Sequence, residues 1–373
     1  AILNTSMLRL VEGGQSSAAR DLADKLAMDA SNVVARQVSK KIDQVSDFSH
    51  FASSSGLPAL SLPRWEIPPQ GAGHAGSDYD KQCRLLQHVL CTARQGDPLS
   101  VVATIEQFSI DGNGWLKIAG GGKGVVLDDL VRKLAPQPPK LILEFGCFVG
   151  YSCTRMAHSL ASGGKVVSVE VDPVHACIAR NVVEFAGVSD RVAICVGYSE
   201  DVIPHLAEAC NGAMADAVFF DQRGTRFHTD LQLLQSRQLL KDGCAVLADN
   251  VLKPGAPHFL WHLQHNPHYD LTVVSLREFA ADRIEDWMSV GIYRPSRDVR
   301  VSAACPPPKS LDWVAFLTDK ARARSCNADG PCEVDEDAWA RHSQEIRSAY
   351  ERVGITPRIV YVRSLGGAPF VEW

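Results

Sequence analysis

The sequence predicts an α/β fold, doubly wound around a mostly parallel seven-stranded sheet with an antiparallel strand at its edge. Three observations predict it. From about Asp78, short β-branched runs alternate with amphipathic stretches at the spacing of βαβ units. Those runs are nearly all apolar, as strands are when helices cover both faces of a parallel sheet. The last two runs stand too close together for a helical crossover, which implies an antiparallel pair.

Taken in order, residues 16–47 place Leu22, Leu26, Ala30, Val34, Val38, Ile42 and Val45 at helical spacing among charged residues, an amphipathic helix. Residues 53–76 are rich in Ser, Gly and Pro, including Pro58, Pro63, Pro68 and Pro69, and read as a linker. The strand runs follow at Leu141–Gly146, Lys165–Asp172, Arg191–Gly197, Ala217–Gln222 and Cys244–Asn250, then the closer pair Leu271–Leu276 and Trp287–Tyr293. After Tyr293 the rhythm stops; the remainder holds a Pro run, a helix over Asp335–Val353 and a strand-like Arg358–Val362. The expected organisation is a helical N-terminal extension (1–52), a linker (53–77), a main domain (78–295) and a C-terminal extension (296–373).

Composition excludes several classes. The chain has 373 residues, 46% hydrophobic and 22% charged, with a formal charge of -5, so it has ample material for a core and no basic stripe for nucleic acid. No apolar stretch reaches the roughly 20 residues of a membrane helix. Cys147, Cys153, Cys177, Cys195 and Cys244 lie inside apolar runs, where free thiols act as small hydrophobes; this points to a reducing compartment, cytoplasmic or inside an organelle. Cys326 and Cys332 lack the paired spacing of a zinc site. The chain begins at Ala1, so a targeting segment could have been removed.

The strand ends carry the chemistry. The first runs into Glu144-Phe-Gly146-Cys-Phe-Val-Gly150-Tyr151-Ser152, where glycines permit a tight turn against a ligand and the following helix N-terminus favours negative charge. The spacing is not the G-x-G-x-x-G of nicotinamide-cofactor folds. Glu170, ending the second strand, could accept both hydroxyls of a ribose; the alternative is ordinary turn chemistry. Asp221 and the pair Asp249-Asn250 end two further strands, offering two carboxylates and an amide to a hard cation such as Mg²⁺, or merely starting turns.

Asp78–Pro295 resembles the catechol O-methyltransferase family of S-adenosylmethionine-dependent, Mg²⁺-dependent enzymes. The likeness is carried by Glu144-Phe-Gly-Cys-Phe-Val-Gly-Tyr-Ser152, Val183-Glu-Phe-Ala-Gly-Val188, Asp201-Val-Ile-Pro204 and Ala248-Asp-Asn-Val-Leu-Lys-Pro-Gly-Ala-Pro257. It implies the methyltransferase type of sheet, with Glu144, Gly146, Tyr151 and Ser152 around the methionine end of S-adenosylmethionine. It also implies Glu170 on the ribose, Ser199 and Glu200 beside the adenine, and Asp221, Asp249 and Asn250 on Mg²⁺. The implied reaction is methyl transfer to one hydroxyl of a metal-chelated catechol.

Two departures stand out. The family has a general-base lysine where this chain has Gly224, and a catechol-contacting glutamate where it has Ser289. Lys253, beside the Asp-Asn pair, is the candidate substitute base; the bland alternative is a solvated surface lysine. Lys117 and Arg223 bring further positive charge to pocket positions, which suits an acidic catechol-like substrate, and Trp115 keeps an aromatic wall. The alternative to an active enzyme is a catalytically impaired fold serving as a structural or cofactor-binding subunit, with protein contacts through residues 1–75 or 296–373.

Overall fold

The computed structural model describes residues 79–111, 116–209, 213–295, 306–326, 335–365 and 368–373. The amphipathic segment 16–47, the linker, Trp115 and Cys332 lie outside them, as does the side chain of Cys326. Along the chain the elements are α1 (Asp80–Thr92), α2 (Pro98–Ile110), α3 (Gly122–Asp129), β1 (Leu141–Phe145), α4 (Tyr151–Ser159), β2 (Lys165–Glu170), α5 (Pro173–Phe185), β3 (Val192–Val196), α6 (Ser199–Ala209), β4 (Ala215–Phe220), α7 (Phe227–Ser236) and β5 (Leu240–Ala248). They continue with α8 (Pro257–His265), β6 (Tyr269–Glu278), β7 (Ala281–Tyr293), α9 (Ser310–Cys326), α10 (Glu336–Arg352), β8 (Arg358–Leu365) and β9 (Ala368–Val371). The architecture is α/β with a mixed, mostly parallel arrangement of the predicted strands.

The chain divides into two compact units. Of the described residues, the first contains 79–111, 146–158, 165–209 and 213. Here β2 and β3 pair in parallel, from Val166 opposite Val192 to Glu170 opposite Val196. Helix α5 starts where the sequence dictates: Pro173 has no N–H to lose at the first helical position, and the Asp172 side chain accepts from Val174 N–H (2.8 Å) and His175 N–H (3.1 Å).

Of the described residues, the second unit contains 116–145, 159–164, 214–295, 306–326, 335–365 and 368–373. Its strands run in the order β1-β4-β5-β7-β6-β8-β9. Strands β1, β4 and β5 are parallel; β7 runs antiparallel to both β5 and β6. Every residue of β1 and β4 is buried, which explains why they are apolar apart from Glu144 and Asp216. The antiparallel pair is longer than the apolar runs suggested, because Glu278, Glu285 and Asp286 interrupt the apolar pattern yet belong to the strands. The C-terminal residues extend the strand order past it, with β8 parallel beside β6 and β9 antiparallel beside β8. No described helix is long and apolar enough to cross a membrane. The five cysteines expected inside are buried free thiols.

Asp172→Ala should lower unfolding free energy by about 1 kcal/mol through loss of the α5 cap, read as a lower urea midpoint with unchanged slope. An unchanged midpoint would contradict the cap.

Candidate active site

Strand register brings the first site residues together. Phe220 on β4 lies opposite Ala248 on β5, so Asp221 and Asp249, the next residues of each strand, emerge side by side. Asp221 N–H donates to Phe145 O (2.8 Å) and Asp249 N–H to Phe220 O (2.9 Å), fixing both backbones. Asn250 then turns the chain with φ +59°, a left-handed conformation that asparagine tolerates better than most residues.

Around this pair stands a buried charge cluster. Lys123, on α3 and 1% exposed, sends its amine to Asp249 Oδ1 (2.9 Å) and Oδ2 (3.0 Å), to Asp286 Oδ2 (2.9 Å) and to Glu278 Oε1 (3.1 Å). Asn250 Nδ2 donates to Asp286 Oδ2 (2.9 Å), which leaves the amide oxygen as the atom available to a cation. Asp286 Oδ1 accepts from the backbone N–H groups of Lys253 (2.9 Å) and Trp287 (2.8 Å). Sequence reasoning missed Lys123, Glu278 and Asp286. Their only trace is a charge inside a glycine-rich or apolar run, which carries no period.

The electrostatics follow from crowding. Burial, with Asp286 and Glu278 adding negative charge, lifts the Asp249 carboxyl to about 7 even though Lys123 pulls it down. Burial and the charges of Asp249, Glu144 and Glu278 hold Asp221 well above the usual carboxylate range, again against Lys123. Glu278 goes the other way: burial would raise it, but Lys123 and Lys253 outweigh burial and depress it to about 2. Lys123 would lose its proton to burial alone, yet three carboxylates raise it well above the ordinary lysine value.

Lys253, read from sequence as a substitute base, is 4% exposed, and its amine donates to Glu278 Oε2 at 2.7 Å while lying 5.1 Å above the Trp339 ring. It is therefore not a solvated surface lysine: in this arrangement Glu278 engages its amine. Ser289 is fully buried opposite Ala248, with a hydroxyl that has no hydrogen-bond partner. Lys117 and Arg223 are exposed.

The expected cofactor residues fall in both units. In the first, Gly146 N–H donates to Val169 O (2.9 Å), and Gly150 takes φ +85° with its Cα so near Ala179 that a Cβ would meet backbone at 3.1 Å. Glu170 is buried and organises this turn: Oε2 accepts from Cys147 N–H (3.1 Å) and Phe148 N–H (2.7 Å), Oε1 from Asp172 N–H (2.9 Å). Burial raises its pKa, while His175 and the N–H donors oppose the rise. The Tyr151 hydroxyl is engaged by Glu106 and by Arg155 (3.0 Å), so the ring rather than the hydroxyl faces any other role. Ser152 and Ser199 are buried and Glu200 is exposed at the start of α6. In the second unit Glu144 is fully buried at the penultimate position of β1.

Residues 124–268 match the model of a family described as O-methyltransferase. The chain is 38% identical over 220 residues to catechol O-methyltransferase of Bos taurus, covering 58% of this chain and 79% of that protein. It belongs to the catechol O-methyltransferase family. The Mus musculus catechol O-methyltransferase is 36% identical over 192 residues, covering 52% of this chain and 71% of that protein. Transmembrane O-methyltransferase of Homo sapiens is 38% identical over 187 residues, covering 50% and 63% respectively. Within this O-methyltransferase family, the chain's helices α9 and α10 lie beyond the residues matched by the family model.

A pH dependence follows. Asp249, and Asp221 with it, bind a proton more tightly folded than unfolded, so the metal-free protein carries more protons than its unfolded chain between about pH 4 and 7. Its stability should therefore fall as pH rises through that window; Glu278, whose pKa is depressed, loses its contribution only at lower pH. Thermal melts at pH 5 and pH 7.5 in EDTA check the direction, and a higher melting temperature at pH 7.5 would contradict it.

Proposed function

We propose that this O-methyltransferase transfers the methyl group of S-adenosylmethionine to a hydroxyl of a catechol-like small molecule chelated to Mg²⁺. The observation that carries the reading is the pair of strand-end carboxylates Asp221 and Asp249, forced together by register, with raised proton affinity and an Asn250 amide oxygen beside them. Hard oxygen donors with uncompensated negative charge fit Mg²⁺, which keeps several positions for water or substrate. Bound there, the ion supplies acidification and orientation of the coordinated hydroxyl.

The chain's own residues do the rest. Lys123 holds Asp249 by both oxygens and keeps it ionisable in a buried place. Asp286 fixes the Asn250 amide so that its oxygen is presented. Glu170 shapes the Gly146–Gly150 turn, and Glu144, Gly146, Tyr151, Ser152, Ser199 and Glu200 are assigned to the cofactor by family resemblance. Glu170 retains acceptor capacity on Oε1 for one ribose hydroxyl beside its bond to Asp172. Gly224 offers no basic group and the Lys253 amine serves Glu278, so the hydroxyl proton is assigned to solvent base, with turnover rising with pH. Arg223, exposed next to Gly224, favours an acceptor with an anionic substituent.

Gly224 also favours a second reading, in which the fold binds cofactor without efficient catalysis. Methyl transfer from S-adenosylmethionine across a panel of catechols with and without a carboxylate, in Mg²⁺ and in EDTA, separates the two. The expected result is transfer that falls at least about 10²-fold in EDTA and on Asp249→Ala. Transfer indifferent to EDTA would remove the metal from the reading. Cofactor binding with no transfer to any catechol would favour the non-catalytic one. Lys253→Met tests the remaining proton route: a working base is worth about 10² to 10⁴ in turnover, whereas a purely structural ion pair alters stability and leaves the pH profile in place.

A further inference from the structure

The turn that follows Asp249-Asn250 is held by residues the family model does not reach. Tyr350, fully buried on α10, donates its hydroxyl to Val251 O (2.7 Å) and accepts from Ala256 N–H (2.9 Å), so one phenol closes both ends of the 251–255 turn. On α9, Arg322 donates from its guanidinium to Gly255 O, with Asp319 (2.7 Å) and Thr318 (3.3 Å) steadying it. His342 Nε2 donates to Pro254 O (2.9 Å). The same α10 helix reaches the strand that carries Asp286, through Ser343 to Glu285 O (2.7 Å) and Arg347 to Glu285 Oε1 (3.1 Å). Gly255 adopts φ +117° directly beneath these helices, where a Cβ would lie 2.7 Å from Thr318 and 2.9 Å from the Tyr350 hydroxyl.

Gly224 belongs to the same arrangement. A Cβ there would stand 2.8 Å from the Arg322 guanidinium, 3.1 Å from Gly255 O and 3.2 Å from Ala256 Cβ. Any side chain at 224 therefore competes with Arg322 for the approach to Gly255. The missing side chain leaves the space through which Arg322 of α9 reaches the turn.

We infer that Tyr350 and Arg322 are positioning residues that fix the 251–255 turn, and through it the Asp249-Asn250 pair, in the space left by Gly224. The inference rests on the metal reading for its consequence, namely that a fixed turn presents the Asn250 oxygen and Asp249 to a divalent cation in a set geometry. Its structural part is independent of any metal. Gly255 O and Pro254 O take their bonds from side chains of α9 and α10, and Tyr350 braces Val251 O and Ala256 N–H, which also bond each other (3.1 Å); a buried backbone group that loses a partner is costly.

The test uses the full chain, with Mn²⁺ alone as the probe in electron paramagnetic resonance titrations and hydrogen exchange over residues 249–256. In Tyr350→Phe and in Arg322→Ala the turn's amides should exchange at least about tenfold faster, with the amides of β1 and β4 unchanged. Mn²⁺ binding should weaken about tenfold while S-adenosylhomocysteine affinity stays within about twofold. Arg322→Lys, which keeps a donor for Gly255 O, should recover most of the loss. Gly224→Ala should reproduce Arg322→Ala, and the double variant should be no worse than either single one. Should Tyr350→Phe fail to fold, the Arg322 and Gly224 variants carry the test alone. Unchanged exchange in the turn overturns the positioning role whatever the metal does, and altered exchange with unchanged Mn²⁺ affinity overturns its link to the cation. Failure of the unaltered protein to bind Mn²⁺ overturns the metal reading itself and, with it, that link, while the exchange data still decide whether the turn is held.

Discussion

The buried ammonium of Lys123 is the constraint on which this unit depends. Asp249, Glu278 and Asp286 are each less than 5% exposed, and burying carboxylates together costs several kcal/mol per ion unless opposite charge and hydrogen bonds repay it. Lys123 reaches all three and ties α3 to the end of β5 and to the β6–β7 pair. Lys253 adds a second positive charge through Glu278. With Asp221 and Glu144 in the same field, five carboxylates face two lysines, and burial first, then that imbalance, raises the proton affinity of Asp221 and Asp249. A divalent cation is the chemically natural way to relieve it without protonating the site.

Ser289 and Gly224, the two departures from the family pattern read in the sequence, both lie in this unit. Ser289 is a buried hydroxyl without a hydrogen-bond partner, while Asp286 and Glu278, from within the strands, are buried acidic groups paired with Lys123. At Gly224 the absence of a side chain, which in sequence reads as loss of a base, coincides with the arrival of Arg322. The C-terminal residues are consequently part of the unit that bears the strand-end carboxylates, joined to it by β8 and by the bonds of α9 and α10 to the turn after Asn250.

Much of this was legible in the chain. The parallel strands of each unit showed as apolar runs because they are buried, and Asp221, Asp249 and Asn250 were visible because polar residues abruptly end those runs. The pairing of Asp221 with Asp249 needed only the parallel order of β4 and β5. The charge cluster was not legible: Lys123 meets partners 126 and 163 residues away, a separation that leaves no local pattern. Lys253 looked like a base from its place beside the Asp-Asn pair, and only the fold of β6 reveals that Glu278 claims it. Strand β7 extends through Glu285 and Asp286 because those carboxylates have partners, information absent from a hydropathy pattern.

The proposed function has the imbalance around Lys123 answered by a cation on Asp221, Asp249 and Asn250. Anomalous diffraction from crystals grown with Mn²⁺ tests it most directly. The expected result is one anomalous peak within ligand distance of the oxygens of those three side chains, with the Lys123 amine still bound to Asp286 and Glu278. A well-ordered site without a peak, or a peak ligated elsewhere while Asp221 turns away from Asp249, would contradict it.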